Sequence, residues 1–415
     1  MNKFPLNELQ VNELERRFGT PLHIYFEGFI EEQISELNNA FSWCQSFKNY
    51  FAVKATPNPY ILNYIYKNGM GMDCSSLTEL ILMEKIGIRG EDIIFTSNDT
   101  PDEEFIKAYE LGATINLDDY SHISRLKELK IVPNIICCRY LPSEKKDEAF
   151  FNGIIGSPVQ SKFGIPQNQI IDSYAALKDL GVKRFGIHTM QASNEKDENF
   201  FIETADEMFR LAKKISYTLD INIEFINLGG GLGIAQHPDE KKLDIIKIGS
   251  EIKKLYYSHF YDNSSILPEI CMENGRFITG PAGFLVTKVR HNSVKHKKFI
   301  GVDSCMSDLM RPALYKAYHH ISTFKDHDCN KYTYDVVGSL CENNDKFAID
   351  RELPNLVRGD YLIIHDTGAH GLSMGFNYNG KLKSPEVIFS KNLEYYRLIR
   401  RREIPADLFS TLNLE

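Results

Sequence analysis

No two of the eight cysteines are spaced Cys-x-x-Cys, so the chain offers neither the paired thiols of a zinc site nor a disulfide framework. Free thiols in a reducing cytoplasm are the simplest expectation. Positive charge is also short. The 48 Lys and Arg against 56 Asp and Glu leave a formal net charge of -8, which argues against a nucleic-acid-binding surface. No apolar run reaches the roughly 18 residues of a membrane span. The N-terminus, Met1-Asn2-Lys3-Phe4-Pro5-Leu6-Asn7-Glu8, turns polar and acidic too early for a signal peptide. Repeats, low-complexity tracts and long flexible linkers are missing too. What is present is ordinary: 43% apolar and 25% charged residues, the balance of a globular protein. The 415 residues are enough for two domains.

Between about residues 20 and 275 strand-like and helix-like segments alternate. Leu22–Tyr25, Tyr50–Val53, Ile93–Thr96, Thr114–Leu117, Asn134–Tyr140, Arg184–Ile187 and Phe225–Leu228 read as strands. Helical patterns such as Pro59–Asn68, Ser76–Ile86, Pro101–Leu111, Gln167–Leu180 and Asn199–Leu219 lie between them. The alternation predicts a parallel sheet with crossover helices, and its length suits a (β/α)8 TIM-like barrel. After Gly280 the runs Gly283–Val289, Lys298–Val302, Tyr332–Val336 and Tyr361–His365 are β-rich, which predicts a C-terminal β-sandwich or β-barrel domain. The expected fold class is therefore α/β plus β. An N-terminal segment at 1–20 is expected to cross to the β-domain, with the barrel at 21–278 and the β-domain at 279–415. The turn-rich stretch Ser143–Ser161 reads as a mobile loop.

The apolar run Tyr50-Phe51-Ala52-Val53 delivers one lysine, Lys54, before Thr56-Pro57-Asn58-Pro59 ends it. Such a lysine reads in two ways. Its charge snorkels to solvent, or its amine is desolvated, with a lowered pKa, and attacks an aldehyde. Asn227-Leu228-Gly229-Gly230-Gly231-Leu232-Gly233 follows a strand. It is either a turn that needs positive φ or a loop whose N–H groups approach an anion. Glu273-Asn274-Gly275-Arg276, after the strand Glu269–Met272, is either a surface ion pair or a carboxylate and a guanidinium set for a ligand. The stretch Gly338–Asp345, with Cys341-Glu342, passes for turn chemistry alone. So does Asp366-Thr367-Gly368-Ala369-His370-Gly371 with Asn377-Tyr378-Asn379. His319-His320 reads as part of a solvated helix, His365 as structural in a strand, and Cys137-Cys138 as small apolar packing. No metal site is expected.

In this order, these segments resemble the alanine racemase-type (fold type III) pyridoxal-phosphate decarboxylases, and among them the diaminopimelate decarboxylases. Met72-Asp73-Cys74-Ser75-Ser76 and Asp308-Leu309-Met310-Arg311-Pro312-Ala313-Leu314-Tyr315 add to the likeness, which runs from Thr20-Pro21-Leu22 to Pro385-Glu386-Val387. The resemblance implies pyridoxal 5'-phosphate as cofactor and Lys54 as its Schiff-base lysine, with Asp73 nearby. It puts Gly229, Gly230, Gly231 and Ser193 at the phosphate and Glu273 at the pyridine nitrogen. His188, Gly275, Arg276 and His370 complete the implied cofactor shell. On the substrate side it implies Arg276 and Arg311 at the far carboxylate with Tyr315 assisting, Glu342 at the far ammonium, and His370 near both phosphate and substrate. Cys341 is the implied proton donor, arriving with Glu342 from the other subunit of a homodimer.

The expected reaction is decarboxylation of meso-2,6-diaminopimelate to L-lysine and carbon dioxide. Two arginines facing a substrate with no far carboxylate would be left unpaired, at a cost. A decarboxylase of ornithine, lysine, arginine or carboxynorspermidine is the alternative. Three positions depart from the family pattern. Met190, in His188-Thr189-Met190-Gln191-Ala192-Ser193, stands where the second histidine of His-x-His-x-Gly-Ser is usual. His370 replaces a tyrosine, and Asn274 replaces a common proline. A methionine packs on an aromatic ring but brings no charge, and a histidine's bond to phosphate depends on pH.

Overall fold

The computed structural model describes residues 2–142, 160–261, 267–325 and 330–414. Most of the expected mobile loop, residues 143–159, lies outside the described residues. The chain divides into two compact units. One holds Gln33–Gly233 and Lys242–Phe277; the other holds residues up to Glu32, Ile234–Lys241 and everything from Ile278.

The first unit is a closed barrel of eight parallel strands. In chain order these are Lys48–Ala52, Gly71–Cys74, Ile93–Ser97, Thr114–Leu117, Ile135–Leu141, Arg184–Thr189, Ile223–Asn227 and Glu269–Met272. Each pairs with its neighbours, and the last closes on the first through Cys271 opposite Lys48. Tyr50, Ile94, Ile135, Cys137, Phe225 and Cys271 pack as one buried cluster. Glycine makes room for the aromatics: a Cβ on Gly186 would lie 2.1 Å from the Phe225 ring, and one on Gly71 2.4 Å from Tyr50. Cys137 and Cys138 are both buried in a strand, as small apolar residues should be. Around the strands lie amphipathic helices with explicit starts. Asn58 caps Pro59–Lys67, where Pro59 takes the first helical position, and Ser76 caps Leu77–Lys85. The long helix Glu198–Leu219 buries Phe209 edge-on against Tyr256 and Phe260 of the helix Ile245–Phe260.

The second unit is a mixed sheet. Its strands run in the order Lys346–Pro354, Lys331–Val337, Lys298–Val302, Gly283–Val294, Leu22–Phe26, Glu386–Phe389 and Tyr396–Arg400; Tyr361–Ile364 also pairs with Gly283–Val294. Two buried clusters flank it, one around Val336, Phe347 and Leu362, the other around Phe26, Phe284 and Val387. Phe4, Leu6, Val11 and Leu14 of the N-terminal segment belong to the second cluster.

Leu22–Phe26 corrects the sequence reading, which counted it with the barrel strands. It pairs antiparallel with Gly283–Val294 and parallel with Glu386–Phe389. All five of its residues are buried, so no alternation marks which sheet it joins. Gly71–Cys74, which the reading missed, is a barrel strand whose only long apolar side chain is Met72. A second correction concerns His319-His320. His319 is fully buried, lies in no helix, and donates from Nδ1 to the His365 carbonyl at 2.8 Å.

Candidate active site

The barrel strands deliver their chemistry at one end. Lys54 follows the strand Lys48–Ala52 in a single 3-10 turn, Val53–Ala55. Asp73 and His188 are next to last in their strands, Asn227 closes its own, and Glu273 comes immediately after Glu269–Met272. These are C-terminal strand ends, the face on which barrel enzymes carry catalysis.

Lys54 Nζ lies 2.9 Å from Asp73 Oδ2. The lysine side chain is 50% exposed and the aspartate 3%. Burial pushes the Lys54 ammonium down, but Asp73, by charge and hydrogen bond, then Glu273 and Glu79, outweigh it and raise the pKa. Of the two readings, the one that lowers the pKa of Lys54 is not met, because carboxylates far apart in sequence converge on the amine. Burial, and the nearby Glu273 charge, push Asp73 up to about 6 against the opposing pull of Lys54.

Glu273 is buried with both oxygens engaged. Asn227 Nδ2 donates to Oε1 at 2.7 Å, and His188 Nε2 lies 3.1 Å from Oε2. Asn116 Nδ2 lies 2.9 Å from His188 Nδ1; with the amide donating, Nε2 is the nitrogen that bears a proton toward Glu273. Burial raises the Glu273 carboxyl, while His188, Lys54 and the Asn227 amide bring it on balance below the ordinary carboxylate range. His188 thus touches the carboxylate and orients it.

The glycine loop is pressed against its neighbours backbone to backbone. A Cβ would lie 2.2 Å from the Thr189 carbonyl at Gly229, 2.3 Å from the Glu273 carbonyl at Gly230 and 2.5 Å from the Ala192 carbonyl at Gly231. Gly229 and Gly231 also have positive φ, 71° and 98°. The reading of this loop as a turn that needs positive φ therefore holds, and close backbone packing leaves it without side chains. The Gly229 N–H is already used, donating to Asn227 Oδ1 at 2.9 Å. The Gly230 N–H points 3.2 Å to Met190 Sδ, a weak acceptor that an anion would displace. Two hydrogen bonds, Glu195 N to the Gly231 carbonyl and Gly233 N to the Glu195 carbonyl, both 2.8 Å, bind the loop carrying Ser193 alongside.

Gly275 meets the lysine turn, where a Cβ would lie 2.8 Å from that of Ala55. Asn274 ties three segments together. Its N–H donates to Asn49 Oδ1 at 2.8 Å, and its Oδ1 accepts from the Leu232 N–H at 3.2 Å. The proline usual at this position could not donate. Arg276, buried, follows at once. Reasoning from sequence missed Asn49, Asn116 and Arg139, and it quoted Asn227 with the glycine motif without giving it a role. Arg139 is held by Asp118 at 3.1 Å, lies over the Phe163 ring, and senses Glu273 and Asp73.

The remaining candidates lie in the sheet unit. Arg311 is 2% exposed at the start of the helix Arg311–Tyr315. Its Nε has no hydrogen-bond partner, and it forms no ion pair among the described residues. Burial, opposed only by Tyr315, pulls its pKa down to about 10. The Tyr315 ring lies 5.6 Å from the guanidinium. Cys341 and Glu342 are exposed on the loop between two strands. His370 is half-buried with φ 55°.

In the barrel unit an amine, an ionised buried carboxylate and a side-chain-free cradle of N–H groups stand together. That donor set suits a molecule with an aldehyde, a basic ring nitrogen and a phosphate.

A family pattern described as pyridoxal-dependent decarboxylase, pyridoxal binding domain, matches residues 27–280. Protein TabA of Pseudomonas amygdali pv. tabaci is 40% identical over 96% of this chain and 92% of its own length. The diaminopimelate decarboxylase of Methanothermobacter thermautotrophicus is 32% identical over 97% of this chain and 94% of its own. A crystal structure of the Methanocaldococcus jannaschii diaminopimelate decarboxylase, in complex with L-lysine, superposes with a TM-score of 0.89. It is 30% identical and covers 98% of this chain and 94% of that one.

Proposed function

We propose, from the premise that this chain belongs to the pyridoxal-dependent decarboxylases, that it converts meso-2,6-diaminopimelate to L-lysine and carbon dioxide. It is a carboxy-lyase, and its cofactor is pyridoxal 5'-phosphate. Bound there, the cofactor supplies a ring that accepts the electron pair left when a carbon–carboxylate bond breaks.

Lys54 is the residue that would hold the cofactor aldehyde, through Nζ. Its amine would have to lose a proton before it reacts, and Asp73 Oδ2, 2.9 Å away, is the carboxylate that orients it. Glu273, kept ionised by His188 and Asn227, would hold the ring nitrogen and favour its protonated form. Gly229, Gly230, Gly231 and Ser193 would hold the phosphate. Arg276 and Arg311, with Tyr315, bind the far carboxylate, Glu342 binds the far ammonium, and His370 serves phosphate and substrate. Cys341 returns a proton to the carbon that lost carbon dioxide. Cys341 and Glu342 serve the other subunit's site in a homodimer.

The observation that carries the choice of substrate is Arg311, a buried guanidinium without an ion pair among the described residues. An unpaired buried charge is costly, and a substrate carboxylate offsets that cost. Arg311→Ala removes a charge-assisted contact worth about 2–5 kcal/mol. KM for diaminopimelate should therefore rise at least about thirtyfold while cofactor affinity holds. An unchanged KM would remove Arg311 from the substrate site. Met190 and His370, which depart from the family pattern around the cofactor, leave room for the second reading, a decarboxylase of ornithine, lysine, arginine or carboxynorspermidine.

A further inference from the structure

The run Asn377-Tyr378-Asn379 has no part in the chemistry above, yet it reaches the loop that carries Cys341. We propose that Asn379 is a positioning residue for Cys341, an inference that rests on the reading of Cys341 as proton donor.

The loop Gly338–Asp345 joins the strands Lys331–Val337 and Lys346–Pro354 and is pinned at successive residues. Ser339 Oγ accepts from Lys381 Nζ at 2.7 Å. The Leu340 N–H donates to Asp345 Oδ2 at 2.8 Å. The Cys341 N–H donates to Asn379 Oδ1 at 2.7 Å. Asp345 also holds the loop from below, its Oδ1 accepting the Met306 N–H at 2.6 Å. It fills the space beside Gly338, where a Cβ would lie 2.3 Å from Oδ2. Of these ties only that from Asn379 acts on the proton donor's own backbone. Cys341 is exposed, so packing does not hold it.

The acceptor is itself fixed. Asn379 has φ 55°, a left-handed conformation that asparagine tolerates better than other side chains do. Its turn is closed by Gly380 N to the Asn377 carbonyl at 3.0 Å and Lys381 N to the Tyr378 carbonyl at 3.2 Å. Asn377 Nδ2 donates to the Lys381 carbonyl at 2.8 Å and to Glu403 Oε2 at 3.0 Å. Glu403 also takes the Lys383 N–H at 2.8 Å. A fixed oxygen thus holds the amide next to an otherwise loose thiol. Placement decides the rate of a proton transfer, because an error of about 1 Å can cost on the order of a hundredfold.

The test compares Asn379→Gly, which keeps the left-handed turn and removes the acceptor, with Asn379→Asp, which keeps an acceptor oxygen. Both are made in the holoenzyme, beside Cys341→Ala and the double variant Cys341→Ala/Asn379→Gly. Asn379→Gly should lower kcat about tenfold, the scale of one hydrogen bond, and leave KM and the melting temperature near wild type. It should also speed amide exchange in the peptide spanning Gly338–Asn343, and Asn379→Asp should recover most of the rate. Once Cys341 is gone, Asn379→Gly should cost nothing further, because coupled residues are not additive. If Cys341→Ala keeps the wild-type kcat, the proton-donor reading fails. If Cys341→Ala is slow but Asn379→Gly turns over normally, or the two losses multiply in the double variant, the positioning role is overturned.

Discussion

At Lys54 the local sequence points one way and the assembled site the other. The apolar run before it suggests a desolvated amine, yet Asp73 and Glu273 hold the ammonium in its charged form. Those carboxylates sit on other strands, so no window of sequence shows the outcome. The residues proposed to hold the cofactor were legible because each sits in a motif: Lys54, the glycines and Glu273. Their orienters were not, because Asn49 and Asn116 are single polar positions in strands, and polarity alone does not show which way a side chain points. Gly230 allows a direct prediction. A Cβ there would overlap the Glu273 carbonyl, and relieving such an overlap costs about 1–3 kcal/mol. Gly230→Ala should weaken pyridoxal phosphate at least about tenfold in a titration of the apoprotein, with little loss of secondary structure. Asp308 gives a pH prediction. Burial pushes its carboxyl up to about 6, against the Ser384 hydroxyl and the Cys305 N–H that bind it. A raised acid stabilises the fold while protonated. That stability is present below about pH 4 and is lost as pH rises through about 6, in all on the order of 3 kcal/mol. Asp308→Asn should remove this component, and the difference between the two unfolding free energies measured from pH 4 to 7 checks it.

At the scale of elements, the alternation of strands and helices marked most of the barrel because its strands are apolar runs between amphipathic helices. It misled at Leu22–Phe26, where burial on both faces erases any alternation. The partners of that strand stand near Phe284 and Val387, and pairing at such separation leaves no local trace. Gly71–Cys74 went unread for the converse reason: a short strand of glycine, methionine, aspartate and cysteine has no β-prone run. The pair of long helices was clearer, with apolar residues at helical spacing along Glu198–Leu219. Phe209 is fully buried where that helix meets Ile245–Phe260. Phe209→Ala should destabilise the protein by about 3–5 kcal/mol. The urea midpoint should fall with its slope unchanged.

For the whole molecule, the match to the pyridoxal-dependent decarboxylases fixes the cofactor and the class of reaction, while the substrate turns on a few charged side chains. Among the described residues no helix is long and apolar enough to cross a membrane. The proposed sharing of residues between subunits makes a prediction that no single chain can. Lys54→Ala, inactive alone, and Cys341→Ala, slow alone, should gain activity above that of either when mixed and allowed to exchange subunits. No recovery, with exchange verified, would mean that each site draws both residues from one chain. The central claim is the substrate, and product analysis tests it most directly. The purified protein, loaded with pyridoxal phosphate, is given meso-2,6-diaminopimelate and, in parallel, L-ornithine, L-lysine and L-arginine. L-lysine and carbon dioxide from diaminopimelate, with little turnover of the others, is the predicted result. A diamine formed from one of the others, with diaminopimelate untouched, would contradict it and assign the buried Arg311 to some other anion.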